Sequence, residues 1–347
     1  MDLTRGDEIL AKMAVTLREV ALRAGVSRSA VSRAFTPGAS VSTKTRAAIA
    51  KAVSELGYSP SALASGLSTG RTKLIGLVSN NFHNPVFLEI FDQFTRGLQD
   101  RGLRPLLVNL SGGMDQAEAM QMLRRYSVDG VILASSTLSP EFARSFRDAG
   151  LPVVHSFGRW SATPEVNLVG VDNYACGQLA AKTLLERGYR HLAFLGGPKA
   201  ATSTQDRLAG FAEGAGQGGE ARISSSFAAE YSFDAGRAEM LRLLRLGPPA
   251  DAYFCGDDVL SIGALSALAD AGLRVPQDVG ILGLNDMAMA RWANINLTTI
   301  RQPIADIIAT SIDLVVEAVK DEGLAPQARL FECSVVERGT LRPRPKG

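Results

Sequence analysis

From Thr72 onward the chain alternates short apolar runs with amphipathic helical stretches, a rhythm that few architectures accept. Leu74-Ile-Gly-Leu-Val-Ser79 is continuously apolar, as a strand buried on both faces requires. Further runs fall at 105–109, 128–134, 152–154, 166–171, 191–196, a segment ending near Tyr231, 252–255 and 279–284. Helical patterning fills the intervals, at 87–101, 115–126, 174–187, 205–216, 234–246, 258–271 and 304–322. Strict β/α alternation of this kind predicts doubly wound parallel sheets. Two such sets predict two lobes of similar build, each with its strand C-termini at a ligand-binding cleft.

The first seventy residues follow a different logic. Thr16, with Glu19 three residues on, is a capping box that starts a helix whose inner face is Val20, Ala21 and Ala24. Gly25 follows where the chain must turn sharply, since glycine takes positive φ cheaply. Ser27 is a second N-cap, and Val31 and Ala34 supply the inner face of a second helix. A small residue, then a glycine four positions on, then a capped second helix is the helix-turn-helix pattern. The outer face of that second helix reads Arg28, Ser29, Ser32, Arg33. Such a helix aims its N-terminal residues at base edges, where arginine pairs with guanine. Ser42 caps a third helix that runs to Leu56 and closes at Gly57. Charge agrees with this division. Residues 14–73 hold nine Lys/Arg against Glu19 and Glu55, a net +7 in a chain of net +2. Residues 1–13 carry −1, which leaves the body at −4. A basic head on an acidic body is the footprint of a nucleic-acid binder.

Val15-Thr16-Leu17, Val20-Ala21, Ala24-Gly-Val-Ser27, Val31-Ser-Arg33, Val41-Ser42, Thr45-Arg46, Leu56-Gly-Tyr58 and Ala64-x-x-Leu67 together resemble the lactose-repressor/galactose-repressor (LacI/GalR) family. The resemblance implies an all-α helix-turn-helix headpiece with a hinge helix, then a bilobed periplasmic-binding-protein-like α/β body. It implies double-stranded palindromic operator DNA as partner, with Thr16, Ser27, Ser42, Thr45, Tyr58 and Ala64 at the DNA. Leu67 would be an apolar wedge in the minor groove. Ser65 departs from the arginine often found there, and Gly66 weakens the hinge helix by roughly 1 kcal/mol, so ordering on DNA is expected. The implied domains are an N-terminal extension at 1–13, the headpiece at 14–60, the hinge at 61–73, the body at 74–340 and a tail at 341–347. The first lobe would take 74–170 and 303–330, the second 171–302 and 331–340. Met13 stands where chains of the family begin, so residues 1–13 are expected to be disordered.

Residues just after strands are the candidates for the cleft. Phe87, in Asn84-Pro-Val-Phe87, offers a stacking face, and Tyr231 stands where relatives place an aromatic wall. Arg207 aligns with the family's effector-binding arginine, and a guanidinium forks onto carboxylates, phosphates or vicinal hydroxyls. Phe157 and Arg159, with Trp160 and Trp292, are placed to line the opening. Two residues depart from the family. Asp257 replaces an amide by a charge, and Asn285 replaces a charge by an amide, as if a carboxylate had moved from one wall to the other. A polar cleft with an aromatic floor suggests a sugar or sugar derivative as effector.

Other functions find less support. No GxSxG stands between a predicted strand and a helix as a nucleophile elbow, and there is no Walker loop, GxGxxG after the first strand, or HExxH, so an enzyme on the same body is the weaker reading. A binding protein without regulatory DNA contacts would lack the headpiece. Cys176, Cys255 and Cys333 are scattered and read as buried free thiols, and His83, His155 and His191 are isolated. No metal or cofactor is expected. No apolar run reaches membrane length, and residues 1–13 are too polar for a secretory signal, so a cytoplasmic protein is expected. The C-terminus lacks a leucine heptad, so a homodimer is expected before a tetramer.

Overall fold

The computed structural model describes residues 15–36, 38–59, 70–111, 113–217, 221–321 and 323–345. The chain divides into two compact units between Thr72 and Lys73. The extension at 1–13 and most of the expected hinge, with Ala64 and Leu67, lie outside the described residues.

The N-terminal unit is three helices: α1 (Leu17–Ala24), α2 (Arg28–Ala34) and α3 (Thr43–Leu56). Each begins at a hydroxyl cap. Thr16 and Glu19 close the capping box reciprocally, with the Thr16 amide donating to Glu19 at 2.6 Å. Ser27 Oγ accepts from the Ala30 amide, and Ser42 Oγ from Thr45. Gly25 ends α1 at φ 67°, the left-handed value a side chain resists, and so turns α2 across α1. Val20, Ala21, Val31, Ile49 and Ala52 form a small core confined to this unit.

In the second unit β1 (Leu74–Ser79), α4 (Val86–Asp100), β2 (Arg104–Asn109), α5 (Gln116–Arg125), β3 (Gly130–Ala134), α6 (Pro140–Asp148), β4 (Val153–Ser156) and β5 (Asn167–Val171) build the first lobe. The second holds α7 (Asn173–Leu185), β6 (His191–Gly196), α8 (Thr202–Gly216), β7 (Arg222–Phe227), α9 (Phe233–Leu246), β8 (Ala252–Cys255), α10 (Asp258–Asp270), β9 (Gly280–Asn285) and β10 (Thr299–Arg301). The chain then returns with α11 (Ile304–Lys320) and β11 (Ala328–Phe331) to the first lobe, and ends with β12 (Ser334–Val336) in the second. The sheets run β11-β5-β4-β3-β1-β2 and β12-β10-β9-β8-β6-β7. The chain therefore crosses between lobes three times, at Asp172, at 302–303 and at 332–333.

Among the described residues all strand pairings are parallel except one. β12 lies antiparallel on β10, Thr299 opposite Val336, so the second sheet is not purely parallel as expected. An edge strand that arrives through the hinge, without a crossover helix, is free to pair in this sense. β7 ends at Phe227, four residues before the expected end near Tyr231, because Ser232 begins α9 as its cap.

One apolar core runs through both lobes, from Phe94, Ile132 and Val169 to Phe194, Phe254 and Leu282. A second, around Leu123, Val131 and Phe146, fills the outer face of the first sheet. Helices α7 and α8 meet almost backbone to backbone. A Cβ at Gly177 would collide with the carbonyl of Arg207, and one at Gly210 with the carbonyl of Tyr174. Two glycines thus set how deep α8 sits, and α8 carries Arg207.

Candidate functional site

Two surfaces carry candidate chemistry. On the N-terminal unit, Arg28, Ser29, Ser32 and Arg33 are all exposed along one side of α2, while Val31 is wholly buried behind them. Ser29 Oγ lies 2.9 Å from Ser27 Oγ. Thr16, Ser27 and Ser42 cap their helices, so their hydroxyls are already engaged within the unit. Thr45 Oγ1 accepts from Ser42 Oγ at 2.8 Å. Tyr58 packs its ring against Phe35, with centroids 5.9 Å apart.

The second surface is the cleft between the lobes. Phe87, Phe157, Arg207, Tyr231, Asp257 and Asn285 all line one cavity there. Arg207 is 4 % exposed, and its guanidinium is fixed by Nε donating to Asn173 Oδ1 (2.7 Å) and Nη1 to the Gly256 carbonyl (2.8 Å). Tyr231 shares a hydrogen bond of 2.9 Å with Thr204, and its ring lies against Gly197, where a Cβ would strike it. Phe157 and Asn285 have φ of 64° and 119°, conformations that non-glycine residues keep only where the surroundings hold them.

Asp257 is the electrostatic centre. Its Oδ1 accepts from the Val259 amide (2.8 Å), and so caps α10. Its Oδ2 accepts from Asn84 across the cleft and from Asn285 beside it, each at 2.8 Å. Asn285 in turn accepts from Gln302 at 2.6 Å. Burial pushes the Asp257 carboxyl up to about 6, against the opposing pull of these donors and the Arg207 guanidinium. Burial also raises Asp258, directly behind it, well above the usual carboxylate range, although Thr299 and the Met287 amide donate to it.

The arrangement corrects three sequence expectations. Asp257 and Asn285 are hydrogen-bonded neighbours on the second lobe, so no carboxylate has moved between walls. Asn285 ends β9 and Asp257 follows the end of its parallel neighbour β8, which brings their side chains to one rim. Arg159 does not line the cavity. It reaches out to Asp206 on α8, a half-exposed ion pair of 2.7 Å that spans the lobes. Trp160 and Trp292 are exposed and lie outside the lining. Sequence reasoning passed over Asn81, Asn84, Ser136, Asn173 and Gln302, which also line the cavity. The available signal was position, because each sits just past a strand's C-terminal end.

Asn84 to Asp257, Arg159 to Asp206, and the Ala288 amide to Glu89 (3.0 Å) tie the lobes together. Only about 30 Å³ of space remains between them. That is room for one or two waters. Among the described residues no group of three or more His, Cys, Asp or Glu could hold a metal ion, and no helix is long and apolar enough to cross a membrane.

Comparison with known proteins bears on both surfaces. Residues 16–61 match the family "Bacterial regulatory proteins, lacI family", and residues 181–341 match "Periplasmic binding protein-like domain". The chain is 32 % identical to the HTH-type transcriptional regulator CelR of Thermobifida fusca, over 93 % of this chain and 97 % of that protein. It is 30 % identical to the HTH-type transcriptional repressor PurR of Escherichia coli O139:H28, over 95 % and 98 %. The fold is similar to that of the lac repressor dimer bound to operator and the anti-inducer ONPF (TM-score 0.85, 25 % identity, 94 % and 99 % covered). It is also similar to the complex of the transcriptional regulator CelR with cellobiose (TM-score 0.70, 30 % identity, 94 % and 99 % covered).

Proposed function

The chain belongs to the lacI family of bacterial regulatory proteins, and from that premise we propose that it represses carbohydrate-metabolism genes under control of a sugar or sugar derivative held between its lobes. Its relatives are transcriptional regulators, not enzymes. In this reading a homodimer binds a palindromic operator, and Arg28, Ser29, Ser32 and Arg33 face the base edges. Thr16, Ser27, Ser42, Thr45 and Tyr58 lie towards the phosphates, and Ala64 and Leu67 keep the minor-groove role that the resemblance implies. Binding to operator puts the protein in the cytoplasm.

The observation that carries the effector reading is the ring of fixed polar groups around the cavity. Arg207, Asp257, Asn84, Asn285 and Gln302 present donors and acceptors in orientations set by their mutual bonds, beside the rings of Phe87, Phe157 and Tyr231. Polar groups with aromatic faces suit a ring that is hydroxylated at its edge and apolar on its faces. A structural relative is a cellobiose complex, which is consistent with this class. A sugar cannot enter the space as it stands. It must part the lobes and exchange the Asn84–Asp257 bond for its own hydroxyls. A ligand acts on DNA affinity only if it favours one lobe arrangement over the other.

The test is a thermal-shift screen against sugars, sugar acids, sugar phosphates and nucleobases, followed by operator binding with any ligand that stabilises the protein. A ligand at about a hundred times its dissociation constant adds roughly 2.7 kcal/mol. We expect a sugar-class compound to stabilise the protein and to change operator affinity several-fold. Stabilisation by a nucleobase alone would overturn the effector class. Equal binding to palindromic and shuffled DNA would overturn the operator reading. Within that assay Arg33→Ala should cost about 1–3 kcal/mol on the operator and flatten the preference at one base position.

A further inference from the structure

One hinge crossing carries a cysteine, another leads within one helical turn to a second, and the two sulfurs meet. Cys176 lies in the first turns of α7, three residues beyond Asn173, the residue that holds Arg207. Cys333 lies in the two-residue link between β11 and β12. Their Sγ atoms are 2.7 Å apart, although 157 positions separate them in sequence. Both are free thiols. Cys176 is buried and Cys333 only partly so. The remaining cysteine, Cys255, is buried on β8, and burial pushes its thiol up to about 12.

We propose that Cys176 and Cys333 form a reversible disulfide in the presence of a peroxide, joining the first hinge crossing to the third and restraining the movement of one lobe on the other. The Cys176 thiolate attacks the peroxide oxygen, the O–O bond breaks, and a sulfenic acid forms as hydroxide leaves. The Cys333 sulfur then attacks the sulfenic sulfur, the S–S bond forms, and a second water departs. Two thiols lose two electrons and two protons, and the peroxide takes them up as two waters. A small thiol reverses the step by exchange. The hydrogen bond with Cys333, then the Arg207 guanidinium, lowers the Cys176 thiol, which makes it the nucleophile. The same contact, with burial, raises Cys333. Peroxide reaches the pair from the partly exposed Cys333 side.

The location gives the bond its consequence. In a bilobed body every opening or closing motion is absorbed by the crossing segments. The crossing at Asp172 leads directly into the turn that fixes Arg207, and the one at 332–333 joins edge strands of the two sheets. A bond between them removes their freedom to twist independently and leaves only the crossing at 302–303 unlinked.

The experiment uses the reduced full-length protein, hydrogen peroxide as oxidant, thiol titration in denaturant, peptide mapping and hydrogen exchange. The expected result is that the three thiols fall to one, that the linked peptides contain Cys176 and Cys333, and that a dithiol restores all three. Cys255→Ala should oxidise as the parent does, and Cys333→Ser should form no intramolecular disulfide. Amides of 330–336 and 171–176 should exchange several-fold more slowly in the oxidised protein than in the reduced one. Three thiols persisting under peroxide, a bond between two chains, or Cys333→Ser oxidising like the parent would each overturn the proposal. A correct disulfide with unchanged exchange at both crossings would overturn the restraint.

Discussion

At the scale of single residues, Asp257 and His155 set opposed pH dependences. The Asp257 carboxyl is raised from 3.8 to about 6, so between those values the folded chain holds a proton that the unfolded chain has lost. Stability therefore falls as pH rises through that window, by up to about 3 kcal/mol. His155 is wholly buried beside the Ser135 carbonyl, and burial lowers it from 6.5 to about 4. The unfolded chain binds that proton first, so stability rises with pH from about 4 to 6.5, by a similar amount. Asp258, raised further still by burial, adds to the fall, so the two do not simply cancel in the parent protein. Asp257→Asn removes one contribution to the fall, and its unfolding free energy relative to the parent's should climb by up to about 3 kcal/mol between pH 4 and 6. Parallel curves from urea melts across that range would contradict the assignment. Asp257 and Asn285 were legible as cleft residues because each falls at or near the end of a predicted strand, and Arg207, well inside α8, through the family resemblance. The bond from Asn84 to Asp257 was not, because residues 173 positions apart meet only once the lobes face each other.

At the scale of elements, the contact between α7 and α8 positions the cleft arginine. Gly210 lies against the Tyr174 carbonyl with no space for a methyl group, whereas Gly216, later in the same helix, faces open space. Gly210→Ala should cost about 1–3 kcal/mol through overpacking and should weaken any ligand that Arg207 holds. Gly216→Ala should be neutral or stabilising by up to about 1 kcal/mol, since alanine favours the helix. Denaturant midpoints of the two variants decide this, and equal shifts would show that the contact does not constrain α8. Helices such as α1 and α3 were legible because their caps and closing glycines are local signals. β10 and β12 were not. Three-residue strands are too short to show a period, and pairing with distant partners holds them in place.

At the scale of the whole molecule, the larger core of the body is continuous across its two lobes. Ile75 and Phe94 belong to the same apolar cluster as Phe194 and Leu284, so neither lobe can lose its packing alone. Calorimetry of the body should show a single cooperative transition, with equal calorimetric and van't Hoff enthalpies. Two resolved body transitions would contradict a shared core. The small core of α1, α2 and α3 includes no residue of the body. That contrast sets where the protein can be recombined. A headpiece taken from a relative brings its whole core with it, so a graft near residue 72 should redirect the address on DNA while leaving ligand selectivity intact. A graft of either lobe would sever three strands of chain and one core at once, so the cleft and its hinge can be inherited only together.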